Sequence, residues 1–279
     1  MKQIKICLLL LLFFLKIQAQ EKYVVYDSLG KEVSIKEIVT LANEKPLIFF
    51  GEVHDQKLAH QAELDLLTAL YASYNTRIIL GMEMFEADVQ PIIDEYFSGD
   101  INQKSFESEA RIWSNYKEDY KPLLEFAKEN KLKLIATNVP RRYANSVYHQ
   151  GFQILDHLSI YAKQFLPDLP LKVDTTMGIY KEMLVMVPDH ANFNMIYSQA
   201  LKDATMAHFI LKNKERDQIF LHINGSYHSK NKQGILSFLN EYDIDKTITI
   251  NTLLKNDSKE DIDFSLADFT VLLILNESN

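Results

Sequence analysis

The chain has 279 residues, 47% of them hydrophobic, and a formal net charge of −8 at pH 7, enough length for one large domain with a sizeable core. An acidic balance without a basic run argues against a nucleic-acid partner. Its one cysteine, Cys7, stands near the start, which leaves the body of the chain without thiolate metal sites, disulfides or covalent haem attachment through C-x-x-C-H.

Lys2 and Lys5, the apolar run Leu8–Leu15 and the small residue closing Ile17-Gln18-Ala19 predict a secretory signal over 1–19, cleaved near Ala19. Eight apolar residues before Lys16 are too few to span a bilayer. Loss of Lys2, Lys5 and Lys16 moves the formal charge from −8 to −11. The expected destination is the periplasm or cell envelope. Cys7 precedes the apolar run, so no lipobox cysteine stands at the cleavage site.

Residues 20–279 are expected to form a single α/β domain. Tyr23–Tyr26 and Glu32–Val33 flank Asp27-Ser28-Leu29-Gly30, which predicts a hairpin with glycine at a φ > 0 position. Ser34 and Glu37 have capping-box spacing for a short helix ending near Asn43. Strand Pro46–Phe50, helix Lys57–Tyr74 and strand Arg77–Leu80 make a βαβ unit. From about 87 to 130 the pattern is helical, broken at Pro91, Ser98-Gly99-Asp100 and Pro122, and strand Leu132–Ala136 follows. Residues Arg142 to Lys214 carry almost no strand signal. They predict three or four helices, the last from about His190 to Asn213, with 142–190 inserted as a helical subdomain over the rim of the sheet. Strand Gln218–Ile223, helix Gln233–Glu241, strand Thr247–Leu253, a charged loop Asn256–Asp263 and strand Phe269–Leu275 complete a mainly parallel central sheet flanked by helices.

Four polar motifs each follow an apolar run: Gly51-Glu52-Val53-His54-Asp55, Gly81-Met82-Glu83-Met84, Asn138-Val139-Pro140-Arg141 and Gly225-Ser226-Tyr227-His228. Ligands of open parallel sheets bind beyond the carboxyl ends of the strands, so these motifs should converge on one rim. Glu52 and His54 point to one side, because strand side chains alternate. Two imidazoles with Glu52 and Glu83 could form a Zn²⁺ or Mn²⁺ shell with an open position for water, or act as general acid and base without metal. Their alternative role is to cap the sheet. His60 either joins the rim or is an exposed helix histidine; Asp55 either orients His54 or caps the helix. His222, in mid-strand, reads as a hydrogen-bonded core histidine. Arg141 and Arg142 bring cations toward Glu52 and Glu83, and one of them could bind a ligand carboxylate. Gln199 and Asp203 interrupt the apolar helix face of Ile196, Met206 and Ile210, so their partners lie in the rim motifs or in a structural contact with the sheet. Met177, Met183, Met186, Phe193 and Met195 suit core packing or a flat hydrophobic ligand.

Gly51-Glu-Val-His54-Asp with His60 and Gln61, Glu83-Met-Phe, Asn138-Val-Pro-Arg141, Gln199-x-x-x-Asp203-x-x-Met206-Ala and Gly225-Ser-Tyr-His228 resemble, in order, the motifs of the ChaN-like haem-binding uptake proteins of the Tiki/TraB/erythromycin-esterase superfamily. The resemblance runs from about Leu47 to Gly234. It implies a parallel α/β domain with a helical subdomain, in a bacterial envelope protein of haem or iron uptake. Many ChaN-like members are lipoproteins; this chain departs from them at the missing lipobox. The expected function is non-covalent haem binding, with His54, His60, Asn138, Arg141, Gln199, Asp203, Tyr227 and His228 as the candidate contacts and Tyr227 favoured as axial ligand. The alternative is a metal-dependent hydrolase, peptidase- or esterase-like, in which Glu52 or Glu83 activates water on a metal held by Glu52, His54, Glu83 and His228. Expected partners are haem or another small molecule, with peripheral envelope association and a homodimer left open.

Overall fold

The computed structural model describes residues 22–186, 192–255 and 262–275. The expected signal 1–19, the expected helix start at His190 and most of the charged loop fall outside the described residues. In chain order, β1 (Lys22–Asp27) and β2 (Glu32–Val33) are followed by α1 (Ile35–Leu41), β3 (Leu47–Glu52), α2 (Lys57–Tyr74) and β4 (Ile78–Glu86). Then come α3 (Gln90–Ser98), α4 (Gln103–Glu109), α5 (Tyr116–Asp119), α6 (Lys121–Glu129) and β5 (Lys133–Asn138). The helical stretch holds α7 (Arg141–Gln150), α8 (Ile160–Lys163), α9 (Gly178–Met186) and α10 (Phe193–Asn213). β6 (Ile219–Gly225), α11 (Glu241–Asp245), β7 (Thr247–Leu254) and β8 (Phe269–Ile274) close the chain.

One eight-stranded sheet has the order β2-β1-β8-β7-β3-β6-β4-β5. The pairs among β3 to β8 are parallel, and β1 runs antiparallel to β2 and to β8. β3 and β4 are buried at every position, which is why their sequences read as continuous apolar runs. The apolar stripe of α2, with Ala59, Ala62, Leu66, Leu67 and Leu70, covers one face together with α1 and α6. Met206, Ala207 and Ile210 of α10 meet Leu47, Phe49, Ile79 and Phe220 on the other. Two smaller clusters join α7 and α9 to the outer side of α10.

Three expectations change. β4 runs on to Glu86, through a register irregularity between Met82 and Glu86, so Gly81 does not end the strand. A side chain at Gly81 would put its Cβ 2.4 Å from Phe220 Cε1; the glycine serves close approach of a neighbouring strand. Pro91 and Pro122 stand in the first turns of α3 and α6, where a missing N–H costs nothing, so they start helices instead of breaking one. The helix expected over Gln233–Glu241 is a 3₁₀ segment, Gly234–Phe238, followed by the short α11. Gly234 has φ +63 and lies against the His228 carbonyl, where a Cβ would be 2.4 Å away.

Candidate functional site

The parallel register brings the ends of β3, β4, β5 and β6 to one side of the sheet, as the motif positions require. Glu52 is the last residue of β3. Glu83 lies in the irregular end of β4, and His228 in the single 3₁₀ turn Ser226–His228 after β6. Glu52, Glu83 and His228 are buried, not solvated strand ends. His54, with 40% of its side chain exposed, is the member that faces solvent.

The carboxylates and imidazoles form two ion-paired groups. In the first, Glu52 Oε1 accepts from His54 Nδ1 at 2.7 Å and from the Tyr120 hydroxyl at 2.8 Å. Its Oε2 lies 3.0 Å from His60 Nδ1. Burial opposes ionisation of Glu52, but the hydrogen bonds from His54 and His60 outweigh it and bring its pKa down to about 2. In the second, His228 places Nε2 3.1 Å from Glu83 Oε1 and Nδ1 2.5 Å from Asp203 Oδ1. Burial disfavours the imidazolium there, yet Glu83 and Asp203 raise its pKa to about 10. Glu83 Oε2 also accepts the Gly225 N–H at 2.8 Å, and Asp203 Oδ2 accepts the Tyr180 hydroxyl at 3.0 Å. Gln199 Nε2 lies 3.2 Å from His228 Nδ1. The two groups meet at Gly225, where a Cβ would stand 2.7 Å from His54 Nε2.

This geometry revises the expected metal shell. Among the described residues, Glu52, His54, Glu83 and His228 do not gather their ligand atoms around one point; the one group that does is Glu52, His60 and Glu63. Both nitrogens of His228 face carboxylates, Glu83 and Asp203. Arg141 neutralises neither Glu52 nor Glu83: it pairs with Glu86 Oε1 at 2.7 Å, and Arg111 holds the other oxygen at 3.0 Å. Arg142 pairs with Asp88 at 2.6 Å and is not a bare surface cation. His60 is neither on the rim nor exposed; it lies buried beneath Glu52. Asn138 Oδ1 accepts the Val139 N–H at 2.9 Å. His222 is a neutral core histidine: Nδ1 donates to Asn224 Oδ1 at 3.0 Å, Nε2 accepts the Thr137 hydroxyl at 2.8 Å, and burial lowers its pKa to about 4.

Above the two groups opens a cleft of ≈ 830 Å³, in the size range of small-molecule and cofactor sites. Glu52, His54, Glu83, Asn138, Arg141, Gln199, Tyr227 and His228 all line it, while His60 and Asp203 do not. Its apolar wall is Trp113, Val139, Met183, Met186 and Met195. The Trp113 ring packs edge-on against His54, centroids 5.1 Å apart. Tyr227 donates its hydroxyl to Met186 Sδ at 2.8 Å, with Lys230 Nζ 5.4 Å from the ring centre. Sequence reasoning missed Trp113, Tyr120, Tyr180 and Glu86, which have no motif around them. Glu63 carried a readable signal, three residues after His60 on one helix face.

A family model described as haem-binding uptake, Tiki superfamily, ChaN, matches residues 38–239. The chain belongs to this ChaN family. The ChaN fold is also seen directly: a structure described as cofacial heme binding to ChaN of Campylobacter jejuni matches with TM-score 0.65 and 18% identity, over 92% of this chain and 98% of that one. RRSP, a MARTX toxin effector domain from Vibrio vulnificus, matches with TM-score 0.49 and 16% identity over 88% of this chain and 38% of its own. No curated protein matches the sequence. The ChaN likeness settles the fold as mixed α/β with a mostly parallel sheet.

Proposed function

We propose that this protein binds haem non-covalently in the cleft, as an exported component of haem or iron uptake. The observation that carries the reading is the pairing of unlike walls in one cleft: Trp113 and three methionines on one side, and Tyr227, Lys202 and Arg141 among its polar lining. That donor set fits the group. Tyr227 offers a phenol oxygen as axial ligand, the methionine side chains suit a flat apolar macrocycle, and Lys202 and Arg141 offer cations to its carboxylates. Bound haem would supply an iron centre; the chain's own residues would position it and exclude water. His228 is occupied by two carboxylates, which leaves Tyr227 and His54 as the donors of the cleft. The ChaN family and the haem-bound Campylobacter relative support the same reading. Export rests on the secretory signal expected over residues 1–19. Val185, Met186 and Phe193 are exposed on α9 and α10, where a second copy or the envelope surface would cover them.

Haem titration of the purified protein tests this. A shifted Soret band saturating at one haem per chain, lost or displaced in Tyr227→Phe, is the expected result. No band shift at micromolar haem would end the proposal, and an unchanged spectrum in Tyr227→Phe would end the assignment of that ligand.

A further inference from the structure

Below the cleft, three side chains meet in the interior. Glu52 comes from the end of β3, and His60 and Glu63 stand three residues apart on α2. His60 Nδ1 lies 3.0 Å from Glu52 Oε2 and 3.2 Å from Glu63 Oε2. One N–H is thus set against two carboxylates. Glu63 Oε1 is buried with no hydrogen-bond partner, and Glu52 Oε2 has only its share of the His60 N–H, an arrangement that costs free energy unless something else satisfies them.

We propose that Glu52, His60 and Glu63 bind one first-row divalent cation, Zn²⁺ or Mn²⁺, at a site beneath the haem cleft that shares Glu52 with its lining. Their ligand atoms all lie within 4.8 Å of one another, a spacing that atoms about 2 Å from a common centre can reach with small side-chain shifts. An imidazole with two carboxylates is a donor set for such ions.

The surroundings are those of a supported site. His60 Nε2 donates to the His54 carbonyl at 2.9 Å, with Asp119 Oδ2 3.6 Å away, the backing that fixes a ligating imidazole and leaves its other nitrogen for metal. Glu52 Oε1 is held by His54 and Tyr120, which leaves Oε2 for the cation. A cavity of ≈ 210 Å³ bounded in part by His60, Gln61 and Asp119 reaches the same histidine from outside.

A divalent cation would take the place of the one His60 N–H that both carboxylates now face, and the two buried acids would then share a partner of matching charge.

The test uses the full chain, haem-free and stripped with chelator, titrated with Zn²⁺ or Mn²⁺. The expected result is one equivalent retained after dialysis. His60→Gln and Glu63→Gln should weaken binding at least about tenfold, while His157→Gln, at an exposed histidine outside the group, retains it. Glu63→Gln keeps the shape of the side chain, and melts of the metal-free variants verify folding. Retention of metal by the unmodified protein needs no variant at all. No retained metal, retention by both His60→Gln and Glu63→Gln, or loss in His157→Gln would each overturn the site, and none of these readouts depends on haem.

Discussion

Glu83 and His228 stand 3.1 Å apart, one in β4 and the other in the turn after β6, and Asp203 of α10 closes on the second nitrogen of the same ring. The imidazolium so formed ties the helical layer to the sheet rim directly under the cleft. Its place there is structural as much as functional: His228 cannot be removed without leaving two buried carboxylates unpaired.

Asp203→Ala should therefore destabilise the fold by about 3–5 kcal/mol, the range for removing one partner of a buried ion pair. It strips His228 of one carboxylate and Tyr180 of its acceptor. Asp203→Asn, which keeps an oxygen for Tyr180, should lose less. Urea unfolding of both variants checks this, and a loss below about 1 kcal/mol for Asp203→Ala would mean that the pair is not formed.

The pH dependence of stability has a worked sign. His228 and His60 have folded pKa values of about 10 and about 11 against 6.5 for a free imidazole, so their contribution is complete below 6.5 and declines as pH rises towards those values. Glu52, lowered from 4.5 to about 2, stabilises above 4.5 and loses this as pH falls through about 2. His222, lowered from 6.5 to about 4, stays neutral in the fold and so adds a loss as pH falls from 6.5 towards 4. Denaturation midpoints measured from pH 4 to 10 should peak near 6.5, and His228→Gln should flatten the alkaline limb. A profile that rises steadily to pH 9 would refute the imidazolium assignment.

Gly225→Ala should move His54 without unfolding the protein, because its Cβ would meet His54 Nε2 at 2.7 Å and a half-exposed ring can swing away. Gly81→Ala meets Phe220 at 2.4 Å and His222 at 2.8 Å inside the sheet, where nothing can give, and should cost about 1–3 kcal/mol or more. Thermal melts of the two variants side by side distinguish them; equal losses would contradict the different freedom assigned to the two neighbours.

Lys202→Glu should weaken haem binding about tenfold, worth about 1.4 kcal/mol, with little change in melting temperature. Lys202 lines the cleft and, among the described residues, makes no ion pair. Fluorescence quenching by haem measures it; unchanged affinity would place the haem carboxylates elsewhere.

The sequence by itself determined the strands and the family. Continuous apolar runs such as Leu47–Phe50 and Ile78–Leu80 read as buried parallel strands because both of their faces are covered, and the motifs that follow them must reach one rim whatever the packing. It also exposed Gln199 and Asp203 as polar interruptions of an apolar helix face. Which partner each polar group takes was decided only by tertiary structure. Glu52, His54, Glu83 and His228 look equivalent along the chain, yet Tyr120 and His60 claim Glu52 while Asp203 and Gly225 share the Glu83 group. Arg141 turns to Glu86 because β4 continues past Gly81 and delivers that carboxylate to it. Ion pairs and hydrogen bonds act over about 3 Å between groups far apart in sequence, and no local pattern encodes such distances. The helical segments covering the cleft follow the same logic: their apolar residues announce burial, but whether methionines face core or ligand depends on what the opposite wall presents.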